Sequence, residues 1–325
     1  MKLVSFEIAC PTGSHRRVGA LEEETIIDLT AGYRELLVND GQNMVDESVQ
    51  ARAPTSMIDF LRAGDKGFET AESTVDAVLD SSLSSSSGRT LTYDRSETRL
   101  LSPLPRPNSI KDCTVYEQHL LNCRDIEQGE LPDAYYDYPV YYKGNPDAVV
   151  HPDEEVEWPR YTDELDFELE IAAVIGKRGR DIAAAAANEY IAGFTIFNDF
   201  SARDVQAEAK PVMMGPSKSK DFANGFGPCL VTSDSIDPTN LTTTVRVNGE
   251  VWSENTTDGM YHSWDDIIEH VSEGITIHPG DVIGSGTVPL GCGLELDRWL
   301  QPGDTIELEV DGIGTLTHQI SEKQN

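Results

Sequence analysis

Apolar residues alternate with polar ones in three short runs near the start of the chain: KLVSFEI (2–8), RVGAL (17–21) and TIIDL (25–29). Alternation with period two marks half-buried strands, so these runs predict a small antiparallel sheet. The pattern then changes to a helical period near residues 55–63 and 71–79. After it comes DSSLSSSSG (80–88), too poor in apolar residues to pack and flexible in the manner of a linker. A proline-rich segment, SPLPRPN (102–108), leads into the rest. These shifts divide the chain into a small N-terminal β-rich domain (1–80), a Ser/Pro-rich linker (81–104) and a larger domain (105–325). In the larger domain, helices are predicted near residues 114–124 and 182–190, and strands at 165–175, 191–197, 243–252 and 305–310. Asn248-Gly249 and Asp311-Gly312 fall between strand-like runs, where type I′ hairpin turns require such pairs. The fold class is α+β, and β-rich.

A chain of 325 residues has room for a sizeable core. Its 57 acidic against 25 basic residues give a net charge of −32, spread along the whole length. Nucleic acid and anionic membranes would repel it, so neither is an expected partner. The self-repulsion fades at molar salt, where the screening length falls to about 3 Å. With only 9 lysines against 16 arginines, the composition reads as adaptation to a salt-rich cytosol of a halophilic organism, with an acidic protein of a mesophile as the alternative. The N-terminus carries no apolar stretch of signal-peptide length, and no run of about 18 apolar residues occurs anywhere, so a cytoplasmic location is expected. Cys10, Cys113, Cys123, Cys229 and Cys292 include no CxxC pair, which argues against a zinc or redox motif. No glycine-rich phosphate loop is present either.

The segment DELDFELEIAAVIG (163–176) carries the first candidate chemistry. On a strand, Glu168 and Glu170 share one face while Phe167, Leu169 and Ile171 take the other. Two carboxylates side by side, leading into an apolar run, repel each other unless a cation lies between them. Oxygen ligation suits Mg²⁺, Mn²⁺ or Ca²⁺ and calls for another carboxylate. Asp199 is the natural donor, since it closes the apolar strand IAGFTIF (191–197) and opens NDFSARD (198–204). In so acidic a chain the same ExE can also be a solvated face, and spacing alone leaves both readings open.

These segments resemble the fumarylacetoacetate hydrolase superfamily, in which an ExE pair and the aspartate of an NDxSARD motif bind Mg²⁺ or Ca²⁺. The resemblance runs from about residue 105 to 314 and assigns the metal to Glu168, Glu170 and Asp199. DCTVYEQH (112–119) resembles the stretch that supplies a further metal-ligand aspartate and a catalytic histidine, here Asp112 and His119. YPVYYKG (138–144) matches the segment of a substrate-binding tyrosine, Tyr142. GPSKSKDF (215–222) matches that of the active-site lysine, Lys220. GSGT (284–287) and LEL (294–296) correspond to a substrate-contacting threonine, Thr287, and a glutamate paired with the histidine, Glu295.

What the resemblance implies is a mixed β-roll catalytic domain behind a small N-terminal β domain, assembled as a homodimer. A divalent cation, Mg²⁺ first, would chelate a small oxo-acid substrate. His119, steadied by Glu295, would act as general base for water attack, and Lys220 and Arg203 would stabilise developing negative charge. Gln206 would line the same pocket, and Asp204 would pair with Arg203. The implied reaction is hydrolysis of a C–C bond in a β-diketo acid such as an acylpyruvate. Dehydration of a 2-oxo-3-deoxy sugar acid and decarboxylation of a 2-oxo acid are the alternatives. Departures fall in the distal pocket: no arginine stands nine residues beyond His119, the nearest being Arg124, and Lys210 stands where a tyrosine is expected. The interval from Thr287 to Glu295 is also short.

Overall fold

A computed structural model describes residues 1–10, 13–80, 83, 85, 88–123 and 131–323. Part of the serine run and Arg124 lie outside the described residues. The fold is α+β and strand-rich, with mixed, open sheets.

The N-terminal strands form as the alternation predicts: Lys2–Cys10, Gly13–Glu22 and Thr25–Asp28 make an antiparallel meander. The predicted helices are there too, as Met57–Arg62 and Asp65–Leu79. Two more helices, Leu29–Asn39 and Val45–Arg52, were not anticipated. The first had a readable start, because Asp28 caps it by accepting from the Ala31 amide at 2.9 Å. Strand Lys2–Cys10 also pairs antiparallel with Asn224–Thr232, which joins the meander to the main sheet.

Among the described residues that sheet has twelve strands. From Asn224–Thr232 its path runs through Ile191–Asp199, Leu169–Ile175, Asp281–Gly284 and Ser109–Cys113 to Tyr141–Gly144. All seven side chains of Leu169–Ile175 are buried. Period two divides them between two cores: Leu169, Ile171, Ala173 and Ile175 join one apolar cluster, while Ala172 and Val174 join the other beside Leu3, Ile27, Phe60, Phe197 and Phe226. The predicted strand over 165–175 is therefore two pieces. Leu165–Asp166 pairs with Ser201–Ala202 in a separate ladder, and the long strand begins at Leu169.

A second sheet, of five strands among the described residues, holds both predicted turns. Thr242–Val247 and Glu250–Thr256 are joined through Asn248 and Gly249, both at positive φ, as a type I′ turn demands. Asp311-Gly312 is different. Val310 pairs with Gly314, so the loop has three residues, and only Gly312 of the predicted pair takes positive φ. The segment predicted as a helix near 182–190 is a 3₁₀ helix, Ala184–Tyr190, and the one near 114–124 is the short Glu117–Asn122.

Candidate metal centre

Strand register builds the site. Asp112 faces Tyr142 across one ladder and Gly284 across the next; Gly284 faces Ala172, two residues from Glu170; Glu170 faces Phe197, two residues from Asp199. Residues far apart in sequence thus meet at the ends of five neighbouring strands. Oxygen atoms of Asp112, Glu170 and Asp199 lie within 4.8 Å of one another, and all three side chains are buried. Gly284 is what leaves them room, since a Cβ there would stand 2.3 Å from Asp112 Oδ1 and 2.9 Å from Glu170 Oε2.

Glu168 stands outside this trio. Arg203 Nη2 donates to its Oε1 at 2.7 Å, and Lys220 Nζ donates to its Oε2. Lys220 also donates to Asp199 Oδ2, which accepts from the Tyr142 hydroxyl at 2.6 Å. Glu170 is held by the Gly286 amide at 3.1 Å and the Thr287 hydroxyl at 3.4 Å, and the Gly286 amide also reaches Asp112 at 3.2 Å. Gln206 accepts from Arg203 Nη1 at 3.0 Å. Asp204 does not pair with Arg203, contrary to expectation; it accepts from the Thr162 hydroxyl and the Asp163 amide.

Arg203 is taken instead by Asp166, a residue outside the predicted site. Asp166 Oδ2 accepts from Arg203 Nε at 2.7 Å, and its two oxygens accept from the Gly293 and Leu294 amides at 2.8 and 3.1 Å. It ties the arginine to the turn Gly293–Leu296 that carries Glu295. The signal was available: Asp166, Glu168 and Glu170 continue one period-two row.

On that turn, Glu295 Oε1 sits 2.7 Å from His119 Nδ1. Its other oxygen accepts from Asn122 Nδ2 at 2.6 Å and the Leu290 amide at 2.9 Å. The short interval from Thr287 therefore does not keep Glu295 from His119. Cys123 and Cys292 flank this pair, the former 3.8 Å from His119 Nδ1. Absence of a CxxC spacing said nothing about this, because the fold assembles the group from positions 169 residues apart.

Electrostatics favours a cation at the trio. Burial pushes Asp112 up to about 6 and Asp199 up to about 8, and lifts Glu170 well above the usual carboxylate range. Burial opposes the charge on Glu168 as well, but Lys220 and Arg203 outweigh it and hold that carboxyl well below its ordinary value. For His119 burial disfavours the imidazolium, while hydrogen bonds with Cys292 and Glu295 push it up to about 10. Among the described residues, Asp199 Oδ1 is buried without a hydrogen-bond partner. An orphaned carboxylate oxygen beside two crowded carboxyls is the donor set of a hard divalent ion, and the residues fit one. A cavity of about 870 Å³ opens elsewhere, lined by Asp65, Glu69, Glu72, Lys177, Arg178 and His278, but among the described residues its carboxylates form no cluster as close as the trio.

A family profile described as fumarylacetoacetate (FAA) hydrolase C-terminal matches residues 109–321, the span that contributes every residue of this centre. The chain belongs to that family. The mitochondrial oxaloacetate tautomerase FAHD2A of Bos taurus is 31% identical over 324 residues, covering 98% of this chain and 91% of that protein. Oxaloacetate tautomerase YisK of Bacillus subtilis is 36% identical over 233 residues, covering 70% of this chain and 75% of that protein. Among solved structures, maleylpyruvate hydrolase from Sphingobium sp. SYK-6, in complex with manganese(II) ion and pyruvate, superposes with a TM-score of 0.70 at 22% identity over the full length of both chains. No helix among the described residues is long and apolar enough to cross a membrane.

Proposed function

We propose that this family member is a divalent-metal-dependent keto–enol tautomerase of a small 2-oxo dicarboxylic acid of the oxaloacetate type. The observation that carries the reading is the buried Asp112, Glu170 and Asp199 trio linked to a paired His119 and Glu295. The link is a continuous hydrogen-bond network from Asp199 through Lys220, Glu168, Arg203 and Asp166 to the Glu295 turn. A cation at the trio, Mg²⁺ first and Mn²⁺ or Ca²⁺ by the same donor chemistry, would supply Lewis acidity to the 1-carboxylate and 2-oxo oxygens of the substrate.

The chain's own residues do the rest. His119, fixed by Glu295, moves a proton to or from the carbon next to the oxo group while the enol oxygen loses or gains one. Tyr142 and Lys220 hold Asp199, and Gly286 and Thr287 hold Glu170, so the carboxylates are set before substrate arrives. Burial of the group keeps water from competing for the enolate. The C–C hydrolysis read from the sequence would use the same residues to hold the oxo acid and would add attack by water; sugar-acid dehydration and decarboxylation would use the same residues too. The identity of the two tautomerases favours proton transfer as the whole reaction.

The test follows decay of enol oxaloacetate absorbance with purified protein and Mg²⁺ in molar KCl, alongside acetylpyruvate and 2-oxo-3-deoxypentonate. Enol decay should accelerate in a metal-dependent way, and His119→Asn at the same metal concentration should return it to the rate with metal alone. Turnover of acetylpyruvate or of the sugar acid, with enol decay at the metal-only rate, would overturn the tautomerase reading. We further propose that the chain works as a homodimer in a salt-rich cytosol. Its charge supports the salt, and the exposed Val212, Met213 and Met214 near Lys220 offer apolar surface for a second copy.

A further inference from the structure

The trio of carboxylates is a hard donor set, yet a chemically different one lies at the other end of the same network. His119, Cys123, Cys292 and Glu295 each offer a ligand atom, and the four atoms lie within 4.8 Å of one another. Their elements explain the meeting. Cys123 ends the helix Glu117–Asn122 one turn after His119, and Cys292 precedes the turn Gly293–Leu296 that carries Glu295. Cys123 Sγ lies 3.8 Å from His119 Nδ1 and 4.0 Å from Nε2, and Cys292 Sγ lies 3.6 Å from Glu295 Oε1. Cys292 is fully buried and Cys123 partly so.

Two sulfurs, one imidazole nitrogen and one carboxylate oxygen are zinc ligands, whereas thiolates are poor partners for Mg²⁺. A tetrahedral Zn²⁺ with bonds of about 2.0–2.3 Å spaces its ligands about 3.3–3.8 Å apart. The group is within about 1 Å of that, so side-chain adjustment suffices. Both cysteines are free, and neither takes part in the proton transfer proposed above.

We propose that His119, Cys123, Cys292 and Glu295 form a second metal site, selective for a thiophilic divalent cation such as Zn²⁺, whose occupancy switches the enzyme off. The cation takes the place of the proton between His119 and Glu295. Its binding releases that proton and the two thiol protons to solvent, so affinity rises with pH. Because it draws on a different donor class, it does not compete with the hard ion at Asp112, Glu170 and Asp199. Metal binding is independent of which reaction the enzyme performs; only the inhibition rests on the tautomerase reading.

The full chain, reduced and saturated with Mg²⁺, is titrated with Co²⁺ as a spectroscopic probe. One equivalent should produce thiolate-to-cobalt charge-transfer absorption, which an oxygen-only site cannot give, and Zn²⁺ should abolish it. Cys123→Ala and Cys292→Ala should each lose the band, while Cys10→Ala keeps it. Mn²⁺ binding and thermal melting of Cys123→Ala show that the fold and the carboxylate site persist. In the enol-decay assay, Zn²⁺ should inhibit the parent at a concentration at least about 10-fold below that needed for Cys123→Ala. No charge-transfer band at one equivalent, or a band that survives in both cysteine variants, overturns the second site. A band without any enol-decay activity would leave the site standing and remove the tautomerase reading alone.

Discussion

Residue by residue, the centre depends on a position with no functional group. Gly284 lies where a Cβ would meet Asp112 Oδ1 at 2.3 Å and Glu170 Oε2 at 2.9 Å, so even one methyl group must displace both carboxylates. Gly284→Ala should therefore weaken Mn²⁺ binding at least about 10-fold, measured by titration calorimetry, with the far-UV spectrum unchanged. Undiminished affinity would show that the two carboxylates do not need this space. Of the carboxylates themselves, Glu170 and Asp199 were readable because each closes or opens an apolar strand with a recognisable motif. Glu168 shares their motif, and like Asp199 it accepts from Lys220, with Arg203 on its other oxygen. Sequence alternation gives the face of a side chain and not its partner. Asp166 was missed for the converse reason, as its role is defined by Arg203 and by the amides of residues 293 and 294.

Among elements, local pattern served where burial is one-sided and failed where strands far apart in sequence pair. The alternating N-terminal strands formed as predicted, and so did the Asn248-Gly249 turn. By contrast, the parallel pairing of Ser109–Cys113 with Asp281–Gly284 puts Asp112 against Gly284 across 172 positions of sequence, which no period reveals. The strand Gly314–Ile320 buries a histidine. His318 is fully buried against Phe200, and neither ring nitrogen has a hydrogen-bond partner among the described residues. Burial lowers its pKa to about 4, with Glu154 too weak a counterweight and His151 acting in the same direction as burial. The unfolded chain takes up this proton near pH 6.5 and the folded chain only near 4, so stability present above 6.5 is lost as pH falls toward 4. Between pH 7.5 and 5 the loss from this ring is about 2 kcal/mol. His318→Leu should remove that component, so denaturant unfolding at the two pH values should show a smaller acid loss in the variant. Equal losses in parent and variant would mean that the ring gains a partner on protonation.

For the whole molecule, a net charge of −32 on 325 residues opposes compaction in dilute buffer. Raising KCl from about 0.1 M to about 2 M shortens the screening length to a few ångströms, and the melting temperature should rise across that range. Sedimentation under the same conditions should report a dimer. A melting temperature independent of salt would remove the halophilic reading, and a monomer would remove the homodimer. The same excess of acid collects cations loosely over the whole surface, so binding at the carboxylate trio has to be separated from bulk charge. Calorimetric titration with Mn²⁺ in molar KCl makes that separation, because salt screens the diffuse attraction and spares a chelate. The parent should bind one Mn²⁺ per chain tightly, and Glu170→Gln, which removes a buried ligand without changing its volume, should lower that affinity by more than about 100-fold. Equal affinity in parent and Glu170→Gln would contradict a metal centre at Asp112, Glu170 and Asp199.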